Sequence, residues 1–306
     1  MSFIKNIAKK FAQAVAQNVK NIGNNNETEL LAIGSLLSMQ QRLFDSNNIN
    51  DYEFKIFSQC GDDGLIQYLV KNINIENRIF IEFGVEDYTE SNTRFLMMNN
   101  NWKGFVMDGS MENMERLQKK NWYWRYSIKN KAAFINKENI NQLLSETGFK
   151  NIGLLHIDID GNDAHILEGL DLSKINPSII IMEYNAVFGK ERSVSIPYDK
   201  DFYRTDKHYS NLYFGASLPA LAYIADGKGY GLVCCNSAGN NAYFVRRDLL
   251  NNKVKEKTIE EAYILSNFRE SRNKDNSLSY LDGEERLEMI KGMDVINVKT
   301  KEMEKL

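Results

Sequence analysis

Short apolar runs alternate with segments of helical composition between residues 53 and 248, and this alternation predicts the fold. The clearest unit spans residues 78–110, where apolar runs at 79–83 and 104–107 flank a helical segment at 91–100. This pattern is typical of a βαβ unit. Further strands are predicted at 122–128, 152–160 and 178–185, further helices at 62–70, 111–121, 139–147, 164–172 and 217–225, and a last pair of strands at 231–235 and 242–245.

Two features of the later strands indicate how the sheet is built. The run Ile179-Ile180-Ile181-Met182 is apolar on both faces, as in a parallel strand covered by helices on both sides. The last two strands are joined by the turn Asn-Ser-Ala-Gly-Asn-Asn, which predicts an antiparallel hairpin. The sequence therefore predicts an α/β fold with a Rossmann-like, seven-stranded sheet that ends in a hairpin.

Three segments lie outside this alternation. Residues 1–52 predict an N-terminal helical extension, in which residues 1–20 place apolar side chains on one helical face and lysines off it. That face would pack on its own domain or on a partner in a homo-oligomer, or would make a weak membrane contact. Residues 186–216 predict a lid insertion within the domain at 53–248. Residues 249–306 are charged with spaced apolar positions, which favours a C-terminal extension of packed helices.

The composition mainly excludes some classes of partner, cofactor and location. A net charge of -3 over 306 residues provides no basic surface, so a nucleic-acid partner is not expected. The three cysteines include an adjacent pair in an apolar run, which favours buried thiols in a reducing cytoplasm over disulfides or zinc. Apolar runs stay well short of the ~20 residues of a membrane span. A cytoplasmic location is expected, with peripheral attachment at the inner membrane through residues 1–20 as an option.

Acidic residues follow both strands of the 78–110 unit. A dinucleotide site requires three glycines, because the backbone must approach a pyrophosphate, and here only Gly84 is present. S-adenosylmethionine carries a sulfonium and an ammonium instead, which suits an acid-rich loop with one glycine. Asp108 ends the second strand roughly 20 residues after the glycine turn, where an acid can bind ribose hydroxyls. The alternative is an ordinary strand-turn-helix with a solvated acidic loop.

Several motifs resemble those of class I S-adenosylmethionine-dependent methyltransferases, in the variant of FkbM-like and related surface-polysaccharide enzymes. The motifs are Ser58-Gln59-Cys60-Gly61-Asp62-Asp63-Gly64, Glu82-Phe83-Gly84-Val85, Asn92-Thr93-Arg94 and the segment from Trp102 to Ser110, within a likeness covering 57–247. One departure is Asp160-Gly161-Asn162-Asp163, where FkbM-like proteins usually carry Glu-Gly. The resemblance implies that the donor is bound by Gln59, Gly61, Asp62, Glu82, Gly84, Asp87, Asn92, Thr93, Asp108, Gly109 and Ser110.

A second group of polar residues follows two later strands. His156, Asp158 and Asp160 alternate on one face of a strand, and Glu183 and Asn185 end the neighbouring strand. Carboxylate and amide oxygens suit Mg²⁺ or Mn²⁺, so Asp158, Asp160, Glu183 and Asn185 are the predicted metal ligands. The alternative is that Asp158 and Glu183 only hydrogen-bond loop backbone or the substrate.

The expected reaction is O-methylation, for which the acceptor hydroxyl must lose a proton. A divalent ion at these ligands would lower the hydroxyl pKa, and Asp160 or His208 would accept the proton. Asp158, Asp160 and His208 are therefore the predicted catalytic residues.

The Asp158-x-Asp160 pattern also matches the Asp-x-Asp motif of metal-dependent nucleotide-sugar glycosyltransferases, and this is the alternative function. A glycosyltransferase would not require Glu82, Gly84 and Asp108 in register, so the methyltransferase interpretation explains more residues.

The lid mixes aromatic and cationic side chains, which suits a sugar or a sugar phosphate. These side chains are Tyr198, Phe202, Tyr203, Tyr209, Tyr213 and Phe214, with Lys190, Arg192, Arg204, Lys207 and His208. The family resemblance implies methylation of a sugar hydroxyl in the biosynthesis of a bacterial capsule or other surface polysaccharide. The expected acceptor is a carbohydrate or a nucleotide sugar.

Overall fold

The computed structural model describes residues 26–306, so the prediction for residues 1–20 lies outside the described residues. Helix α1 covers residues 26–40. It is followed by α2 (Asp62–Asn72), α3 (Arg94–Asn100), α4 (Met111–Gln118), α5 (Ile140–Thr147), α6 (Asp163–Gly169), α7 (Leu172–Ile175), α8 (Arg204–Lys207), α9 (Leu218–Gly227), α10 (Ile259–Ala262) and α11 (Gly283–Met289). Within 26–306, no helix combines the length and the apolar character needed to cross a membrane.

Ten strands occur in the described part of the chain. They are β1 (Ile79–Phe83), β2 (Lys103–Asp108), β3 (Ile128–Ala132), β4 (Leu154–Ile157), β5 (Ile179–Glu183), β6 (Val194–Ser195), β7 (Tyr230–Cys235), β8 (Asn241–Arg246), β9 (Asp294–Asn297) and β10 (Met303–Lys305). Seven of them form one sheet in the order β3-β2-β1-β4-β5-β8-β7.

This sheet is the one that the apolar runs predicted. Strands β1 to β5 are parallel, and β8 lies antiparallel between β5 and β7. The Rossmann-like α/β fold with a terminal hairpin is confirmed. The strand order reverses between β1 and β4, so the loops after these two strands border a crevice where open α/β sheets bind their ligands.

Apolar layers cover both faces of the sheet, as the both-sided run in β5 predicted. Ile180 and Met182 belong to one buried layer, and Ile179 and Ile181 belong to the other. Successive side chains of a strand point to opposite faces, so a strand buried on both sides needs apolar residues throughout. The central strands are therefore rigid, and their carboxyl ends hold the polar residues that follow them.

The predicted third strand at 122–128 is wrong. Tyr123–Arg125 is a single 3₁₀ turn, and the strand is the following segment Ile128–Ala132. That strand lies at the edge of the sheet, is half-exposed and has three polar residues at its centre, so it lacks the apolar run of an inner strand. The aromatic residues before it pack elsewhere, and the Trp122 ring centroid lies 6.2 Å from that of Tyr88.

The prediction of packed helices over residues 249–306 is also wrong in part. The segment contains two short helices, α10 and α11, and the β9–β10 hairpin. Strand β6 of the lid pairs antiparallel with β9, which makes a second sheet in the order β10-β9-β6. Lid residues Val194 and Phe214 share an apolar cluster with Ile290 and Val295 of the C-terminal segment. The lid and the C-terminal segment therefore form one packed unit.

Candidate functional site

A cavity of about 300 Å³ opens at the carboxyl ends of β1, β4 and β5. One side, here called the strand-end wall, comprises Glu82, Gly84, Glu86, Ser91, Asn92, His156, Asp158, Asp160 and Glu183. The opposite side, here called the outer wall, comes from the lid and the C-terminal segment and comprises Arg204, Phe214, Ser266, Phe268, Glu270 and Arg286.

Glu82 organises the strand-end wall from the end of β1. Its buried carboxylate accepts hydrogen bonds from Ser91 Oγ (2.6 Å), from the backbone N–H groups of Asn92 (3.0 Å) and Thr93 (3.3 Å), and from Thr93 Oγ1. His156 Nδ1 lies 2.9 Å from Glu82 Oε1. Burial raises the pKa of Glu82, but the bonds from His156 and the loop outweigh burial and lower it below the usual value. The carboxylate therefore holds the start of α3 against β1 and β4.

Gly84 brings the loop after β1 against the loop after β4. Its N–H donates to Met107 O at 2.9 Å, and its φ of 70° lies in the left-handed region. A Cβ atom at this position would lie 1.6 Å from the carbonyl oxygen of Asp158. Glycine is therefore required here for two reasons, the positive φ and the contact between two backbones.

Asp108 joins the loops after β1 and β2. Its Oδ2 accepts from the Glu86 N–H and its Oδ1 from the Ser110 N–H, both at 2.8 Å. Ser110 in turn caps α4. Phe134 lies beside Gly109 and forms an exposed ring pair with Tyr203, with centroids 5.5 Å apart. The predicted ribose-binding acid thus lies at the edge of the crevice, outside the cavity lining.

Other predicted donor-binding residues bind the protein itself. Asp62 is fully buried and accepts from Asn236 Nδ2 (3.1 Å), Asn241 Nδ2 (3.0 Å) and the Tyr243 hydroxyl, so it anchors α2 to the β7–β8 hairpin. Asp87 forms an ion pair of 3.1 Å with Lys120. Both carboxylates already have the partners that their charge requires.

The remaining donor-binding candidates flank these residues. Gln59 is exposed and lines the cavity. Gly61 begins α2, where a Cβ atom would lie 2.5 Å from Glu53 Oε2. The Asn92 side-chain amide lies 3.2 Å from His156 Nε2, so Asn92 and His156 together close the inner end of the strand-end wall.

Asp158, Asp160 and Glu183, here called the acidic cluster, come together as predicted. One carboxylate oxygen from each lies within 4.8 Å of the others. Burial and the charge of Asp160 raise the pKa of Asp158 to about 8. Burial and the charge of Asp158 raise the pKa of Glu183 well above its usual value. Glu183 Oε2 is buried and has no hydrogen-bond partner within residues 26–306, so the cluster is short of positive charge and of donors.

Arg204 supplies part of that positive charge from the lid. Its guanidinium forms an ion pair with Asp160 (2.9 Å) and another with Glu270 (3.2 Å). It also lies 3.7 Å from the ring centroid of Phe214. The outer wall therefore contacts the acidic cluster through one arginine held by two acids and an aromatic ring.

Asn185 does not join the acidic cluster, contrary to the prediction that it is a metal ligand. Its Nδ2 donates to the carbonyls of Leu212 (2.8 Å) and Phe214 (2.9 Å), and its Oδ1 accepts from the Val187 N–H at 3.0 Å. These carbonyls are buried, and the amide is their hydrogen-bond partner. Asn185 therefore fixes the lid to the end of β5.

His208, one of the two predicted proton acceptors, lies outside the cavity lining. Its Nδ1 is 2.7 Å from Ser210 Oγ, and its ring lies 4.3 Å from that of Tyr209. Burial and the charge of Lys274 lower the pKa of His208. Of the two predicted acceptors, Asp160 is the one at the cavity.

Most aromatic residues of the lid pack within the protein. The Tyr213 hydroxyl donates to the Asp294 carbonyl of the second sheet, and Phe202 is buried against Gly161. Tyr203 is 56% exposed beside Phe134, and Phe214 lines the cavity. Only part of the predicted aromatic surface therefore faces the site.

The C-terminal contribution to the outer wall was missed from the sequence. Ser266, Phe268, Glu270 and Arg286 line the cavity although residues 249–306 contain no recognisable motif. Only the tertiary structure reveals their role, because the pairing of β6 with β9 brings this segment to the site.

Comparisons with known proteins give a family match and several similar solved structures. Residues 68–209 match the family model described as the methyltransferase FkbM domain. Similar solved structures include an O-methyltransferase from Bacillus cereus in complex with SAH, 10% identical, with 72% of this chain and 90% of that chain covered and a TM-score of 0.41. TrmK from M. capricolum in complex with SAH is 14% identical, with 63% of this chain and 71% of that chain covered and a TM-score of 0.36. The N-terminal domain of EvdMO1 with SAH bound is 10% identical, with 55% of this chain and 72% of that chain covered and a TM-score of 0.36. A comparison with curated proteins finds no match.

The contact at Gly84 predicts the effect of adding one methyl group. Gly84→Ala should lower the free energy of unfolding by roughly 3 kcal/mol or more, because it adds a backbone collision to the strain of a positive φ. Gly148→Ala is the matched control: its φ is 69° and a Cβ there has nothing within 4 Å. It should lose about 1 kcal/mol. Urea denaturation measures the free energy of unfolding of both variants. Equal losses would contradict the prediction, because they would mean that the Asp158 carbonyl moves aside at little cost.

Proposed function

We propose that this chain, whose residues 68–209 match the methyltransferase FkbM domain, is a class I S-adenosylmethionine-dependent methyltransferase that transfers the methyl group to a hydroxyl oxygen of a carbohydrate. The observation that carries the proposal is the cavity after β1, β4 and β5, with an acid-rich strand-end wall facing arginine and aromatic side chains of the outer wall. The proposed pathway is the biosynthesis of a bacterial capsule or other surface polysaccharide, in keeping with the FkbM resemblance.

The donor fits the strand-end wall by charge. Its ammonium and sulfonium are attracted by carboxylates, and Glu82, Glu86 and Asp158 line this wall. The ribose hydroxyls would bind Asp108, whose oxygens already orient the loops on both sides. The exposed face of Phe134 beside Gly109 offers a surface for the adenine ring.

The methyl transfer needs alignment and removal of one proton. The sulfonium carbon is already activated, so the protein must hold the acceptor oxygen in line with the methyl group. Asp160, exposed at the cavity, would accept the hydroxyl proton. Arg204 holds Asp160 in place through their 2.9 Å ion pair.

A divalent ion fits the acidic cluster without Asn185. Its three carboxylates have oxygens within 4.8 Å of one another, and Glu183 Oε2 is buried and unpartnered among the described residues. Such oxygens are the ligands that Mg²⁺ or Mn²⁺ prefers. When bound, the ion would lower the pKa of a coordinated hydroxyl. Without an ion, Arg204 and a hydrogen bond to the acceptor would offset the cluster's charge.

The sugar acceptor is supported by the outer wall. Arg204 lies 3.7 Å from the ring centroid of Phe214, and this contact holds a guanidinium, which can donate to sugar or phosphate oxygens, at the cavity. The glycosyltransferase alternative rested on Asp158-x-Asp160 alone, and the family match covers those residues with a methyltransferase domain.

The donor site predicts a binding defect at Asp108. Asp108→Asn should weaken S-adenosylhomocysteine binding at least tenfold, about 1.4 kcal/mol, because the neutral amide binds ribose hydroxyls less strongly. Asp171→Asn is the control, since the Asp171 carboxylate also accepts from a backbone N–H, that of Ser173, but caps α7 and does not line the cavity. Isothermal titration calorimetry measures both, and an unchanged Kd for Asp108→Asn would remove this residue from the donor site.

The acidic cluster predicts a specific response to metal. Calorimetry with Mn²⁺ should show one site on the wild-type protein, lost in Glu183→Gln. Glu270→Gln should retain it, because Glu270 lines the cavity and pairs with Arg204 but lies outside the cluster. Absence of binding to the wild-type protein would mean that Arg204 is the cluster's counter-charge and that the metal proposal is wrong.

The acceptor proposal is tested with a labelled methyl donor. Incubation with a panel of nucleotide sugars should transfer label to the sugar in a base-stable ether. A reaction without acceptor controls for self-methylation. Label found only in protein or nucleic acid would refute the carbohydrate acceptor and leave the methyltransferase domain in place.

A further inference from the structure

Arg286 is a buried cation without an ion-pair partner in the described part of the chain. It lies in α11, is 5% exposed and lines the cavity. Within residues 26–306 its guanidinium has no ion pair of 4.0 Å or less, and its Nε is buried with no hydrogen-bond partner. Buried arginines are normally paired, and a guanidinium cannot escape burial by losing its proton. Because Arg286 lines the cavity, a molecule bound there could supply the partner that the guanidinium lacks.

The surroundings of Arg286 offset its charge only in part. Glu270, an acid of the same wall, forms its ion pair with Arg204 at 3.2 Å. Burial lowers the pKa of Arg286, the charge of Glu270 raises it in part, and the charge of Arg204 lowers it further, so that the pKa is below its usual value. The outer wall therefore carries an excess of positive charge beside Ser266 and Phe268.

The cavity is divided by charge. The strand-end wall holds the acidic residues that suit the cationic donor, and the outer wall holds the two arginines. A ligand group that binds Arg286 is favoured to be anionic, since a guanidinium fork binds carboxylate and phosphate oxygens in pairs.

We propose that Arg286, together with Arg204, binds a carboxylate or phosphate group of the methyl acceptor. The acceptor would thus be an acidic sugar, a uronic acid or a sugar phosphate that includes nucleotide sugars, and a neutral sugar would bind poorly. The inference rests on the proposed function and narrows its substrate class. Arg286 acts as a specificity-determining residue, and the methyl transfer itself remains at the acidic cluster.

The test is calorimetry on protein saturated with S-adenosylhomocysteine. Glucose, glucuronate and glucose 1-phosphate are the probes, and the two anions separate a carboxylate from a phosphate site. At least one anion should bind tenfold or more tightly than glucose. Arg286→Met should remove that preference, and Arg269→Met, an exposed arginine of the same segment, should keep it.

Thermal unfolding separates binding from a structural role. Arg286→Met removes an unpaired buried charge and keeps an unbranched side chain, so the ligand-free variant should be at least as stable as the wild-type protein. A lower Tm with unchanged anion binding would overturn the proposal and make Arg286 a structural residue.

Two further results would also overturn the proposal. If Arg286→Met weakens S-adenosylhomocysteine binding tenfold, the anion at Arg286 is the carboxylate of the donor. If the wild-type protein binds S-adenosylhomocysteine but prefers neither anion to glucose, the acidic acceptor is wrong while the methyltransferase assignment stands. Failure of S-adenosylhomocysteine to bind at all would refute the proposed function as well.

Discussion

The buried carboxylate of Glu82 is the interaction on which the site depends. An ionised group at the end of a central strand must be compensated where it lies, and five donors from the α3 entry and β4 do so. These bonds set the path of the loop after β1. That path lets Gly84 touch the Asp158 carbonyl, which brings the loops after β1 and β4 to the same crevice.

A second constraint closes the crevice from the outside. Asn185 uses its whole amide to hold the lid backbone at the end of β5, and β6 of the lid pairs with β9. The C-terminal segment is consequently part of the site. Arg204 and Arg286, from two segments distant in sequence, face the same cavity because these two attachments hold their backbones in place.

The two walls carry opposite excesses of charge, and this division connects the fold with the proposed reaction. Strand ends supply carboxylates, since they are where a parallel sheet presents side chains to a ligand. The insertion and the C-terminal segment supply guanidinium groups and rings. A cationic donor and an acidic acceptor would then meet at Asp158 and Asp160 of the strand-end wall, which face the outer wall across the cavity.

The sequence alone was sufficient for the central sheet and for the residues at its strand ends. Apolar runs located the inner strands, although the edge strand β3 escaped because its three central residues are polar. Carboxyl ends of neighbouring parallel strands lie side by side, so the meeting of Asp158 and Asp160 with Glu183 followed from local pattern.

Only the tertiary structure decided which partner each polar side chain takes. Asp62 accepts a hydrogen bond from Asn236 of the hairpin, 174 residues away in sequence. The Asn185 amide binds the lid backbone instead of the acidic cluster. The β6–β9 pairing and the burial of Arg286 likewise leave no periodic trace in the chain. Local composition encodes which face of an element is apolar, whereas the partner of a hydrogen bond or ion pair depends on which distant segments packing brings within about 3 Å.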